Sequence, residues 1–341
     1  MTRALFVCGS LNQTRQLHAV ARELPEFTAA FSPFYNDFAV ELMRRAGLLE
    51  KTIGGKRRQG FCLEYLTREG LALDVGGRAG PYELVVTCTD LVVQSNLRNQ
   101  PLVVVQEGIF DPDGFMASAC RRLRFLPRWF AGTALTGESG LYDRFCAASD
   151  GYRERLLARG VSAERVIVTG IPGFDDCRTY LQNDFPHYGY VLVCTSDTRE
   201  TLKFDNRRLL IERALEIAAG RQLIFKLHPN ENEQRSRREL ERHAPNALVY
   251  QQGSAEEMIA NCDVLITQWS STVFVGMALG KEVYSNFAQA ELERLLPWQN
   301  GGTSAARIAE VCRALLASTK QCKHARQQRI RSRAASEAGA P

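Results

Sequence analysis

The 341-residue chain has no apolar run that approaches the length of a membrane span, which takes about 18 residues or more. It has only five histidines, and its ten cysteines form no C-x-x-C pair, so we expect neither a metal site nor a disulfide framework. Cys8, Cys88, Cys194 and Cys262 lie in or beside apolar runs, which is typical of reduced core thiols. A strand-like run already begins at Ala4, so we expect no signal peptide. We therefore expect a cytoplasmic protein.

Excess positive charge is confined to the end of the chain. From Lys320 onward the chain contains six Lys or Arg residues and one acid, Glu337, so this segment accounts for the net charge of +5. The composition predicts a poorly ordered tail that contacts an anionic membrane at the inner face of the cell, or else a solvated tail with no partner. Because the remainder is neutral and no stripe interleaves basic and aromatic residues, nucleic-acid binding is not expected.

Short β-rich runs alternate with helical runs twice along the chain, which predicts an α/β protein with two Rossmann-like, doubly wound domains facing a cleft. The predicted strands are Ala4–Cys8, Thr28–Phe31, Leu84–Cys88, Leu102–Val105, Phe145–Ala147, Val166–Thr169, Tyr190–Cys194, Leu223–Leu227, Ala247–Tyr250, Val264–Thr267 and Val283–Ser285. Predicted helices include Thr14–Leu24 at one end and Ala305–Ala317 at the other. The predicted division is a first domain at 1–170, a Pro- and Gly-punctuated linker at 171–189, a second domain at 190–319 and the tail at 320–341.

Two strand ends in the second half carry candidate chemistry. After the apolar strand at Phe225, the pair His228-Pro229 forms a turn, and the proline biases His228 to an extended backbone that points its imidazole beyond the strand. After the strand at Val264, the residues Ser270–Thr272 open a helix, where hydroxyls and unpaired N–H groups suit a phosphate. A structural histidine and ordinary helix capping are the alternatives.

Together with Met277–Val283, these two motifs resemble the carboxyl-terminal domain of GT-B-type nucleotide-sugar enzymes. Bacterial sialyltransferases and related Kdo transferases with CMP-activated donors have a His-Pro motif, a Ser-Ser or Ser-Thr motif, and an acidic-acidic-Gly motif in the first domain. Here the third motif is Gln106-Glu107-Gly108, with Gln106 in place of the first acid. The resemblance implies a glycosyltransferase that uses a nucleotide-sugar as its substrate, needs no cofactor, and acts on a surface glycan or lipid-linked acceptor.

Two further resemblances leave other activities open. Val168–Pro172 and Thr195–Thr201 are similar to two elements of the non-hydrolysing UDP-N-acetylglucosamine 2-epimerases, although Asp197 stands where that family has His. Transferases that use CDP-glycerol share a similar Ser-Ser loop and His-Pro turn. A non-catalytic nucleotide-binding protein is the remaining alternative.

The resemblance assigns roles on both sides of the cleft. Glu107 is the expected general base, and His228 is the expected catalytic group that supplies a hydrogen bond or positive charge as the leaving group departs. Asp197 is the carboxylate to test as nucleophile or stabiliser if configuration is retained. The expected nucleotide-sugar site consists of Lys226, His228, Pro229, Ser270, Ser271 and Thr272, with Gly170 and Pro172 lining the nucleotide pocket. In the first βα turn, Gly9 and the expected helix cap Thr14 are acceptor-side candidates, with a purely structural turn as the alternative.

Overall fold

The computed structural model describes residues 2–35, 56–123, 125–196, 199 and 205–338. The first of its two sheets is parallel throughout and has the order β2-β1-β3-β4-β5-β6. Its strands are β1 (Thr2–Val7), β2 (Phe27–Ser32), β3 (Leu84–Thr87), β4 (Leu102–Val105), β5 (Arg144–Ala147) and β6 (Val166–Val168). The second sheet, also parallel, has the order β11-β10-β7-β8-β9. It consists of β7 (Val191–Cys194), β8 (Leu223–Lys226), β9 (Leu248–Tyr250), β10 (Val264–Ile266) and β11 (Glu282–Tyr284).

Each predicted strand is confirmed, and the predicted ends differ from the observed ends by at most two residues. The runs that form β4 and β7, LVVV and VLVC, are buried along their whole length. Parallel strands covered by helices on both faces show such continuous apolar runs, which explains why the pattern was readable. The two Rossmann-like domains are thus confirmed.

Helices connect the strands within each domain. They are α1 (Leu11–Arg22), α2 (Lys56–Arg68), α3 (Phe115–Arg122), α4 (Asp150–Ala158), α5 (Arg207–Ala218), α6 (Glu233–His243), α7 (Ala255–Asn261), α8 (Thr272–Ala278), α9 (Gln289–Leu295) and α10 (Ser304–Ala338). No helix within the described ranges is both long and apolar enough to cross a membrane.

Helix α10 returns to the first domain, which corrects the predicted domain boundary and the predicted tail. Ile308, Ala309, Cys312 and Leu315 are buried in the core built around the first sheet. Their spacing gives α10 one apolar face over its first turns. Residues 304–319 therefore pack with the first domain and not with the second. The backbone of residues 320–338 continues the same helix, where a poorly ordered tail was expected.

The described cysteines other than Cys322 are free thiols, and all of them are buried. Burial raises the pKa of Cys177 to about 11, which keeps that thiol protonated at neutral pH. The expectation of reduced core thiols is therefore confirmed for these residues.

Candidate functional site

The topology of both sheets brings particular loops to the space between the domains. All strands run in the same direction, but the order in which successive strands join the sheet reverses between β1 and β3 in the first sheet and between β7 and β10 in the second. Ligands of open α/β sheets bind beyond the carboxyl ends of strands at such reversals. Two cavities of about 530 and about 1010 Å³ lie between the domains, and Asn12 and Glu107 line both of them.

Glu107 follows β4 and enters the cleft from the first domain. The N-terminal turn of α1 fixes its carboxylate, because the Ser10 hydroxyl donates to Oε1 at 2.9 Å and the Gln13 amide donates to Oε2. Tyr35 in turn donates to Gln13 Oε1 at 2.6 Å, which orients that amide. Both carboxylate oxygens thus accept from neutral donors. This arrangement holds a carboxylate in one place, as a proton acceptor requires.

Gln106, the residue before Glu107, builds the turn beside it. The residue is fully buried, and its Nε2 donates to the Gly108 carbonyl at 2.9 Å. Its Oε1 accepts from the Ala148 N–H at 3.0 Å, and its carbonyl accepts from Gln16 Nε2 at 2.8 Å. A carboxylate cannot donate to the Gly108 carbonyl, so this turn requires an amide.

We expect Gln106→Glu to lower the free energy of unfolding by about 1–3 kcal/mol, because it buries a carboxylate and leaves the Gly108 carbonyl without its donor. Urea unfolding followed by circular dichroism measures the change. Glu64→Gln, a change of the same size at an exposed position of α2, is the control and should stay near wild type. Equal stability of Gln106→Glu and wild type would show that the amide is not needed for this turn.

His228 and Lys226 stand on the opposite wall, where both line the larger cavity. The Asn230 N–H donates to His228 Nδ1 at 3.2 Å, so a neutral His228 ring carries its proton on Nε2. Lys226 Nζ donates to the carbonyls of Leu227 and Gln251 at 3.1 and 3.0 Å. Burial lowers the pKa of Lys226. Pro229 also lines this cavity, which agrees with its predicted place beside His228.

A buried network of charged side chains is hydrogen-bonded to the backbone of the His228 turn. Glu231 accepts from the His228 N–H at 3.0 Å, from the Thr195 hydroxyl and from Arg207 Nη2. Arg207 also pairs with Asp205 at 3.2 Å, and the side chains of Asp205 and Glu231 are fully buried. Sequence reasoning missed this network, because it joins residues from three separate loops. The one local signal is an acid three residues after a strand-end His.

The three hydroxyl residues after β10 have different positions. Ser271 lines the smaller cavity. Ser270 and Thr272 bond to each other instead, with the Thr272 hydroxyl 2.9 Å from Ser270 Oγ, and neither lines the cavities described here. Ser271 faces Gly108 across the cleft, where a methyl group added to the glycine would lie 3.3 Å from Ser271 Cβ. The first-domain and second-domain motifs therefore meet at this point.

Of the two residues predicted to line the nucleotide pocket, one lines a cavity and the other does not. Pro172 lines the smaller cavity together with Gly173 and Phe174. Gly170 is buried with a φ of 73°, and a side chain there would collide with Ser304 Oγ, so its small size serves the packing of α10. The structure thus places Gly170 behind the cleft wall and not in it. Asp197 lies outside the described residues.

In the first βα loop the structure corrects the predicted helix cap. Ser10, and not Thr14, caps α1, since its Oγ accepts from the Gln13 N–H at 3.2 Å. Thr14 is fully buried and bonds the Ser10 carbonyl at 2.8 Å, while Gly9 makes room for the Tyr35 ring. The cleft is lined by their neighbours Ser10, Asn12 and Gln13. The pattern S-x-x-Q from Ser10 to Gln13 is the sequence signal that could have found the cap.

Within the described ranges, no group of three or more His, Cys, Asp or Glu side chains could hold a metal ion. The turn Asp111-Pro112-Asp113 has a structural role. Asp113 pairs with Arg121 at 2.9 Å and with Arg159 at 2.8 Å, and Asp111 bonds the N–H of Thr133.

No family model matches the chain, and no curated protein matches it. Solved structures do match in fold. A UDP-GlcNAc 2-epimerase from Neisseria meningitidis bound to UDP-GlcNAc is 12% identical with a TM-score of 0.55, covering 91% of this chain and 99% of that one. The UDP-GlcNAc 2-epimerase of Methanocaldococcus jannaschii in complex with UDP-GlcNAc and UDP is 13% identical with a TM-score of 0.52, and the match covers 91% of this chain and 99% of that one. The wall teichoic acid polymerase TagF soaked with CDPG is 12% identical with a TM-score of 0.50, and the match covers 93% of this chain and 90% of that one. At these identities the likeness establishes the fold, which is of the GT-B type.

Proposed function

We propose that the protein is a glycosyltransferase that moves a sugar from a nucleotide-activated donor to a glycan or lipid-linked acceptor. One observation carries the proposal. Glu107 stands on the first-domain wall of a cavity whose second-domain wall holds Lys226 and His228. The similar structures that were bound to UDP-GlcNAc or soaked with CDPG support a nucleotide-linked substrate for this fold.

The second-domain wall suits the departing nucleotide. Glycosyl transfer breaks the bond between the sugar's anomeric carbon and a phosphate oxygen, and negative charge grows on that oxygen. The Nε2–H of His228 in the larger cavity and the hydroxyl of Ser271 in the smaller one can donate to oxygens of the phosphate group, and Lys226, which also lines the larger cavity, adds positive charge. Donors held in place before the reaction stabilise such charge without reorganising.

The first-domain wall suits the acceptor. As the acceptor oxygen forms its bond to the anomeric carbon, its proton must leave, and Glu107 would take that proton. Ser10 and Gln13 keep the carboxylate in one orientation during this transfer. They act as positioning residues, while Glu107 is the catalytic base of the proposal.

For the donor we propose a CMP-linked acidic sugar of the sialic acid or Kdo type, on the strength of the His-Pro and Ser-Ser motifs. Thermal shift with CMP-, CDP- and UDP-sugars tests this choice, because a ligand at 100 times its Kd stabilises the folded state by about 2.7 kcal/mol. Stabilisation by a CMP-sugar alone is the expected result. Stabilisation by a UDP-sugar alone would overturn the choice of donor, and conversion of UDP-GlcNAc without an acceptor would establish an epimerase. No shift with any of them would contradict the proposed function.

We expect His228→Ala and Ser271→Ala each to weaken nucleotide binding by about 1–3 kcal/mol, since each removes a hydrogen bond to the donor phosphate. Titration calorimetry measures the affinity. The matched controls are His243→Ala at the end of α6 and Ser270→Ala in the same loop, neither of which lines the cavities described here. Unchanged affinity together with a large loss of stability in the two test variants would leave them only a structural role.

A further inference from the structure

Residues 115–123 and 125–130 of the first domain, here called the aromatic lobe, hold a group of large apolar side chains in solvent. Phe115 is 85% exposed, Phe125 79% and Phe130 50%. Met116 and Leu123 are exposed as well. Exposed apolar groups of this kind mark interaction surfaces.

The outward direction of these side chains is built into the packing. Helix α3 turns Ala117 and Cys120 inward, where they form a small core with Ala134 and Leu135. Phe115 and Arg122 are seven residues apart on the same helix, which places both on one face, and both are exposed. Because small residues fill the inner side, the large ones have no place inside the domain.

The lobe has basic side chains and no acid of its own, since residues 115–130 contain four arginines and no Asp or Glu. Acids outside the segment pair with two of these arginines: Arg121 binds Asp113 and Glu138, and Arg128 lies 4.0 Å from Glu138. Arg122 is exposed beside the apolar side chains. Trp129 is half-buried, with its ring centroid 4.2 Å from that of Phe130. Aromatic rings together with arginine are the composition of surfaces that lie in the interface of an anionic bilayer.

The position of the lobe relates it to the cleft. Leu91 packs against its small core, and Leu91, Thr133 and Thr136 line the smaller cavity. The lobe therefore borders the cleft on the first-domain side.

We propose that the aromatic lobe docks on the surface of an anionic lipid bilayer, with Phe115 and Phe125 entering the headgroup region and Arg122 meeting lipid phosphates. Apolar side chains that project this far into solvent fit a deformable lipid phase, since each would need its own pocket on a protein. The absence of acids within the segment matches the negative charge of the bilayer. This inference concerns a different surface from the tail and does not depend on the proposed chemistry.

Flotation of the full chain with vesicles tests the docking. Wild type should bind vesicles of phosphatidylcholine and phosphatidylglycerol in equal parts and bind pure phosphatidylcholine vesicles weakly. The double variant Phe115→Ser and Phe125→Ser should bind the anionic vesicles at least about tenfold less, because two apolar anchors are lost. Arg122→Gln should reduce binding by about fivefold, in keeping with one charge at the surface.

The matched control is Tyr188→Ser with Leu209→Ser, which removes two apolar side chains that are 69% and 58% exposed outside the lobe. It should bind like wild type. A second control replaces Arg326, Arg329, Arg331 and Arg333 with Gln in the full chain, and should leave the effect of the two phenylalanines unchanged. Near-ultraviolet circular dichroism checks that each variant is folded.

Three outcomes would overturn the proposal. The first is wild type that fails to bind anionic vesicles. The second is binding that is lost with the four tail arginines but not with the two phenylalanines. The third is a lobe variant that binds vesicles normally but changes from dimer to monomer in sedimentation, since the lobe would then contact a second copy of the chain.

Discussion

Replacing Glu107 with Gln is expected to lower turnover at least about a hundredfold, because a positioned general base contributes about 10²–10⁴ in rate. The amide keeps the shape of the side chain but cannot take the acceptor's proton. The surrounding hydrogen bonds tolerate the change. Gln13 can still donate to the remaining oxygen, and the Ser10 hydroxyl can accept from the new amide nitrogen.

Steady-state kinetics and calorimetry on the same preparation separate the two effects of this substitution. Donor affinity and melting temperature should stay near wild type while kcat falls. Glu216→Gln, an exposed carboxylate on α5, is the control and should retain full turnover. Turnover of Glu107→Gln within a few-fold of wild type would remove this residue from the mechanism and make Asp197 the next candidate.

Arg207→Met should destabilise the second domain by about 3–5 kcal/mol, because it leaves the buried carboxylates of Asp205 and Glu231 without their closest cation. Urea unfolding measures the loss. Arg208→Met is a control one residue away, since Arg208 and its partner Glu212 are largely exposed and such a pair contributes about 0–1 kcal/mol.

The second substitution Glu231→Gln should restore part of the stability lost in Arg207→Met, because it removes the charge of a buried carboxylate whose remaining cation, Arg199, lies 4.0 Å away. It keeps an oxygen that can accept from the His228 N–H. If Arg207→Met were no less stable than Arg208→Met, the charged network would not hold the His228 turn in place.

Local sequence patterns were sufficient for the sheets. Strands such as β4 and β8 are short, largely apolar and followed by polar residues, so both their position and the loops after them could be predicted. This is why Glu107 and His228 were identified correctly as strand-end residues. Their presence on opposite walls of one cavity followed from the predicted two-domain architecture.

Features that depend on contacts between distant segments were not predictable. The apolar face of α10 is readable, but nothing local shows that it packs on the first sheet and not the second. The role of Gly170 depends on the packing of α10 against it, and the role of Gln106 depends on its hydrogen bond from Ala148. Both partners lie far away in the chain. The Ser10 cap is different, because the S-x-x-Q pattern from Ser10 to Gln13 is a local signal for it.

The central claim is that one nucleotide-sugar binds between the two walls, and a crystal structure with a non-transferable CMP-sugar analogue tests it most directly. We expect the analogue's phosphate within hydrogen-bonding distance of His228 Nε2 and Ser271 Oγ, with the anomeric carbon facing the Glu107 carboxylate. An analogue bound away from these side chains, or a cleft that remains empty at saturating concentration, would contradict the account.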